Sequence, residues 1–138
     1  MDYEIAAQTD VGTVKKTNQD SIMMKRIFTN LGNMVFAVLC DGMGGLAKGE
    51  LASATVIRAF DKWVNDDLQM ICQNGPGYIK DSVIRAQWES IVANQNQKIK
   101  QYGAGQGVNL GTTVVALLVT DRRYYLMNVG DSRAYLVN

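Results

Sequence analysis

Between the turn-like Leu31-Gly32-Asn33 and the pair Asp41-Gly42 runs Met34-Val35-Phe36-Ala37-Val38-Leu39-Cys40, an apolar stretch without a polar interruption. Turn residues at both ends make it a strand, and continuous rather than alternating hydrophobicity predicts a central strand buried on both faces. The chain must therefore supply partners on either side. Tyr3, Ile5 and Ala7 alternate before Thr9-Asp10-Val11-Gly12, and a second apolar stretch lies near Ile22–Phe28, which together predict two strands upstream.

After Leu51 the period changes. Ala52, Val56, Phe60, Trp63, Val64, Leu68 and Ile71 recur at helical spacing, with Arg58, Asp61, Lys62 and Asn65 between them. Gln73-Asn74-Gly75-Pro76-Gly77 breaks this helix. A second helix follows, with Ile84, Trp88, Ile91, Val92, Ile99 and Tyr102 as its apolar stripe, unwinding over Gly103–Gly111. Thr112–Thr120 and Tyr124–Val129 pair across Asp121-Arg122-Arg123, and Arg133–Val137 is a third strand. Three strands, two helices and three strands argue for an α+β fold with mainly antiparallel pairing. At 138 residues, with no linker or repeat, residues 1–138 read as one domain.

The charge of +1 provides no field to attract nucleic acid or an anionic membrane. No apolar run follows the acidic start, so neither a signal peptide nor a membrane span is expected, and a cytoplasmic location is. Cys40 and Cys72 are too few for a disulfide framework and read as reduced core thiols. The chain has no histidine, which removes Ser-His-Asp and Cys-His nucleophile pairs and every imidazole metal site. Carboxylates, lysines, backbone and metal remain.

Asp20, Asp41 and Asp131 stand at predicted strand boundaries. A carboxylate at the edge of a core is costly unless hydrogen-bonded, paired or bound to a cation, and an all-oxygen donor set suits Mg²⁺ or Mn²⁺. Asp before Gly also serves ordinary turns, so position alone leaves both readings open. Asp41-Gly42-Met43-Gly44-Gly45 lets backbone approach a ligand. Its Gly42-x-Gly44-x-x-Ala47 matches a dinucleotide fingerprint only superficially, because a long helix follows where the next strand is required. Ala47-Lys48-Gly49-Glu50 lacks the Gly-Lys-Ser/Thr of a phosphate-binding P-loop.

Val14-Lys15-Lys16-Thr17-Asn18-Gln19-Asp20-Ser21, Val38-Leu39-Cys40-Asp41-Gly42-Met43-Gly44-Gly45, Gly111-Thr112-Thr113 and Asn128-Val129-Gly130-Asp131-Ser132-Arg133-Ala134-Tyr135 occur in the order and approximate spacing of the metal-dependent protein phosphatase 2C family, which the chain resembles. Met43 resembles the bacterial branch. The resemblance implies a mainly antiparallel β-sandwich flanked by two long antiparallel helices, with residues 1–138 forming its N-terminal portion and the C-terminal part of the family domain absent. It implies a serine/threonine phosphoprotein phosphatase, hydrolysing phosphoserine or phosphothreonine with metal-activated water. Asp41 would bridge two Mn²⁺ or Mg²⁺ ions, the Gly42 carbonyl would join one shell, Asp20 would support the cluster and Asp131 would serve an accessory metal. Lys15 would bind the substrate phosphate where the family usually has Arg, and Gln19 replaces the family's usual Glu. The family's downstream aspartates have no counterpart here, so weak or absent turnover is expected from this chain alone. A non-catalytic binding or regulatory module with the same fold is the alternative. Unpaired sheet edges would favour self-association.

Overall fold

The computed structural model describes the backbone of residues 13–17, 20–44, 49–108, 110–130 and 133–137. The elements run β1 (Thr13–Thr17), β2 (Asp20–Thr29), β3 (Gly32–Gly44), α1 (Gly49–Lys62), a π-helical segment (Trp63–Asp67), α2 (Leu68–Asn74), α3 (Asp81–Gln106), β4 (Leu110–Val119), β5 (Tyr124–Gly130) and β6 (Arg133–Val137). All six strands form one sheet in the order β1-β2-β3-β4-β5-β6, every neighbouring pair antiparallel. The α+β class follows. The predicted strand near Tyr3–Ala7 lies outside the described residues. The first described strand, Thr13–Thr17, carries two lysines and has little apolar pattern to announce it.

β2 and β3 are joined by a two-residue turn, Asn30-Leu31. Thr29 Oγ1 donates to the Gly32 carbonyl at 2.8 Å and accepts the Leu31 N–H at 3.0 Å, and Gly32 takes φ 110°, which favours glycine. A Cβ at Gly32 would also sit 3.2 Å from Asp121 Oδ2, in the turn between β4 and β5. That second turn is closed by the Thr120 N–H donating to the Arg123 carbonyl at 2.8 Å.

The helices cover one face of the sheet. Met23, Ile27, Phe36, Val38, Cys40, Val114, Ala116, Leu118, Tyr125 and Met127 are buried there against Val56, Phe60, Trp63 and Trp88. At the centre Phe36, Phe60, Trp63 and Trp88 meet with ring centroids 5.6–6.1 Å apart. Lys25 Nζ fastens β2 to the helices, donating to Asp61 Oδ1 at 2.7 Å and Asn65 Oδ1 at 2.9 Å.

Between Ala52 and Leu68 the apolar stripe repeats every four residues, which drifts about 40° per step around an ideal α-helix. The π-helical segment, with its wider turn, takes up this drift and keeps Trp63, Val64 and Leu68 buried together.

Two expectations for the elements are corrected. β3 is not buried on both faces: Met34, Phe36, Val38 and Cys40 are buried, while Val35 and Ala37 are half-buried and Leu39 is 44% exposed. The described residues place no second layer over that side. The second helix does not unwind at Gly103 but runs to Gln106, capped by left-handed Gly107 with the Val108 N–H donating to the Gly103 carbonyl at 2.9 Å. Tyr102 leaves the stripe at 42% exposure because Gly103 takes the sheet-facing place, where a Cβ would lie 2.6 Å from Val108 O.

Candidate functional site

A strand that alternates faces puts residues 40 and 42 toward the helices and residue 41 away from them. Accordingly Cys40 and Gly42 are buried and Asp41 is exposed, on the helix-free side. β3 does not stop at Asp41, as the sequence suggested, but continues to Gly44, with Asp41, Gly42, Met43 and Gly44 opposite Thr113, Thr112, Gly111 and Leu110. Asp41 thus stands in a paired strand and its backbone is held on both sides.

The two-residue turn fixes its other neighbour. Thr29 opposite Gly32 sets Asp20 opposite Asp41 nine residues further along each strand. Residues opposite one another in an antiparallel pair lie about 4.5–5.5 Å apart at Cβ. That spacing lets two carboxylates share an ion whose ligand distances are about 2.1 Å. Lys15, on β1, is opposite Ile22, two residues along the ladder from the Thr17–Asp20–Asp41 row.

Asp131 lies outside the described residues. The strands on either side of it, β5 and β6, meet at Gly130 and Arg133. Val129 pairs with Val114, which pairs with Cys40, so Gly130 ends β5 level with Asp41.

Three further hydroxyls belong to this end of the sheet. Thr113 Oγ1 accepts the Asp41 N–H at 3.3 Å. On the covered face, Ser21 and Ser53 are the buried polar residues among those described, at 1% and 0% exposure, with their Oγ atoms 3.0 Å apart. Ser53 Oγ donates to the Glu50 carbonyl at 3.1 Å, which leaves Ser21 to donate to Ser53. The strand that begins with Asp20 is thereby pinned to the first turn of α1. Thr113 and Ser21 sit within motifs quoted above without a role, and Ser53 lies in none of them. Hydroxyls 32 residues apart carry no local sequence signal.

Cys40, next to Asp41 in sequence, takes no part in chemistry at this end. Burial pushes its thiol up to about 12, against a smaller opposing pull from the Thr112 side chain, so it stays protonated. Among the described residues no group of three or more carboxylates, thiols or imidazoles converges to hold a metal ion. Carboxylates at the two opposed positions 20 and 41 would be hard oxygen donors of the kind that suits Mg²⁺ or Mn²⁺, and water or further donors would have to complete an octahedral shell. A cleft of ≈ 440 Å³, lined by Asp67, Met70, Tyr78, Lys80 and Gln87 among others, lies at the other end, around the connection between α2 and α3. No described helix is long and apolar enough to cross a membrane.

Comparison with known proteins agrees with the fold. Residues 12–138 match the family model described as protein phosphatase 2C. A serine/threonine protein phosphatase, PstP, of Mycobacterium tuberculosis is 35% identical over 133 residues, 96% of this chain and 22% of that protein. A putative protein phosphatase 2C-type of Streptococcus pyogenes is 31% identical over 137 residues, 98% of this chain and 50% of that protein. Among solved structures, the S. agalactiae serine/threonine phosphatase matches with a TM-score of 0.60 and 26% identity, over 95% of this chain and 53% of that one. The catalytic domain of PstP in complex with two manganese ions matches with a TM-score of 0.59 and 26% identity, over 96% and 54%. The chain spans about half the length of most curated relatives it matches.

Proposed function

Because this chain belongs to the protein phosphatase 2C family, we propose that its Asp20–Asp41 row is half of a metal-dependent site for hydrolysis of phosphoserine and phosphothreonine in proteins, in the cytoplasm. The observation that carries the reading is the register that sets the two aspartates opposite each other at the end of the sheet. Mn²⁺ or Mg²⁺, once bound, would supply Lewis-acid charge to a phosphoryl group and lower the pKa of water. Asp41 and Asp20 would hold the ion, the Gly42 carbonyl would add a neutral donor, and Asp131 would serve an accessory position from the turn between β5 and β6.

Lys15 would attract the phosphate as a point charge, without the two-pronged grip of an arginine. Thr113 keeps the Asp41 backbone in place from the neighbouring strand. Cys40 is excluded as a nucleophile by its protonated state. With no imidazole in the chain, water would protonate the departing serine or threonine oxygen. Two carboxylates are too few to hold two divalent ions tightly, so residues 1–138 by themselves form a weak catalyst, and together form a partial phosphatase domain.

The test pairs Mn²⁺ binding, followed by the loss of the free-ion electron paramagnetic resonance signal, with phosphate release from a phosphothreonine peptide. Weak Mn²⁺ binding that disappears in Asp41→Asn, with slow turnover, is the expected result. Binding unchanged by Asp41→Asn would remove Asp41 from the site. Fast turnover that needs Asp41 would keep the site and overturn the weakness of the isolated chain. Binding without any turnover would favour the regulatory module, for which the replacement of the family's usual Glu by Gln19 is the motivating residue.

A further inference from the structure

Ser21–Ser53 and Lys25–Asp61 both fasten β2 to α1, the first with Oγ atoms 3.0 Å apart and the second with Nζ 2.7 Å from Oδ1. Lys25 lies four residues beyond Ser21 on the strand, about 13 Å, and Asp61 eight beyond Ser53 on the helix, about 12 Å. Strand and helix therefore run side by side in the same direction, held at two points.

The two ties differ in setting. Lys25 and Asp61 are partly open to water, whereas Ser21 and Ser53 are 1% and 0% exposed. A buried hydroxyl pair stabilises a fold little more than two apolar groups of the same shape would, so net stability does not account for polar atoms at this place. What a hydrogen bond adds over an apolar contact is a fixed distance and direction. Ser21 follows residue 20 directly and is opposite Cys40, so the fixed point lies one ladder step from the Asp20–Asp41 pair. It also closes a ring. The chain leads from Asp41 on β3 into α1 and Ser53, the hydrogen bond crosses to Ser21, and the ladder returns from residue 20 to Asp41.

We infer, on the metal-site reading of the Asp20–Asp41 row, that Ser21 and Ser53 are positioning residues for the divalent ion: their hydrogen bond holds the first residue of β2 in register with Asp41 before the ion binds. β2 begins at Asp20, and the ends of strands open locally at little cost. Each opening separates positions 20 and 41, and ion binding must then offset the cost of bringing them back. Ser53 is a firm anchor because its own hydroxyl donates to the Glu50 carbonyl in the first turn of α1.

The test sets Mn²⁺ affinity, read from the loss of the free-ion electron paramagnetic resonance signal, against folding stability, read from urea denaturation, on the 138-residue chain. Ser21→Ala and Ser53→Ala should each weaken Mn²⁺ binding by the folded protein about tenfold, the low end of what loss of a ligand's support costs. The double variant should bind no more weakly than either, because the same hydrogen bond is lost in all three. Lys25→Met removes the other tie between the same two elements and should leave the affinity within about twofold. In metal-free protein, amide exchange at residues 20–22 should quicken in Ser53→Ala and not in Lys25→Met. Ser21→Cys, similar in shape and much weaker in hydrogen bonding, replaces any serine variant that circular dichroism shows to be unfolded.

Wild-type binding that depends on Asp41 but is unchanged in the serine variants would overturn the proposal and leave the metal reading standing. A loss in Lys25→Met as large as in the serine variants would overturn it as well, since any loosening of β2 would then suffice. Absence of wild-type binding, or binding unaffected by Asp41→Asn, would remove the metal reading and the proposal together.

Discussion

The two faces of the sheet are built from the same strands and carry the same kind of side chain, yet they differ in fate. Along β3, Phe36, Val38 and Cys40 are almost wholly buried while Leu39, between two of them, is 44% exposed. Strand chemistry does not distinguish these neighbours. The helices do, because α1 and α3 lie on one side only. An apolar residue on a strand therefore reports a tendency to be covered, and the elements present decide whether the cover is there. The same division separates the polar groups: the buried hydroxyls Ser21 and Ser53 must bond to each other, while Asp41 stands where water, an ion or a partner can reach it.

The largest expected contrast is between Phe36→Ala and Leu39→Ala. The first removes a ring that touches Phe60, Trp63 and Trp88 and should cost about 3–5 kcal/mol. The second, measured by urea denaturation, should cost less than about 1 kcal/mol. Equal losses would mean that the helix-free face is covered within a single chain.

The polar groups sharpen the comparison. Ser53→Ala leaves the buried Ser21 hydroxyl without its described acceptor and should cost about 1–3 kcal/mol, whereas Ser21→Ala, which leaves Ser53 bonded to the Glu50 carbonyl, should cost about 1 kcal/mol. The double variant should lose less than the sum. Thr113→Ala, on the open side, should stay within about 0.5 kcal/mol. Strict additivity of the serine variants would show that the two hydroxyls do not interact.

A further contrast is pH-dependent and appears only above neutral pH. The Cys40 thiol is raised from 9.0 to about 12, chiefly by burial. Its contribution to stability is complete below about pH 9 and declines between 9 and 12 with a slope of at most about 1.4 kcal/mol per pH unit. Urea denaturation of the wild type should therefore fall more steeply over that window than Cys40→Ala. Parallel curves would mean that the thiol reaches solvent.

Much of the architecture is legible along the chain. The change from strand to helical period after Leu51 marks the helices, and the apolar stripe from Ala52 to Leu68 names most of the residues they bury. Tyr102 misleads because one helical residue later Gly103, small enough to meet Val108, takes the sheet-facing place. β1 is hidden because Val14-Lys15-Lys16-Thr17 owes its strand conformation to pairing with β2 rather than to its own pattern. For the site, Asp20 and Asp41 are visible as residues in motifs, and their opposition follows from counting back from a two-residue turn, once that turn is placed at Asn30-Leu31.

What the sequence determines by itself is therefore local and compositional: the periods that choose strand or helix, the absence of histidine that removes imidazole catalysis and imidazole metal ligands, and the ordered motifs that resemble the family's. The tertiary structure decides which side of the sheet is covered, which hydroxyls must bond to each other, and which end of the strands gathers the carboxylates. Those outcomes depend on register and on contacts between residues far apart in the chain, and a strand's hydrophobic pattern carries no information about the element that will lie across it.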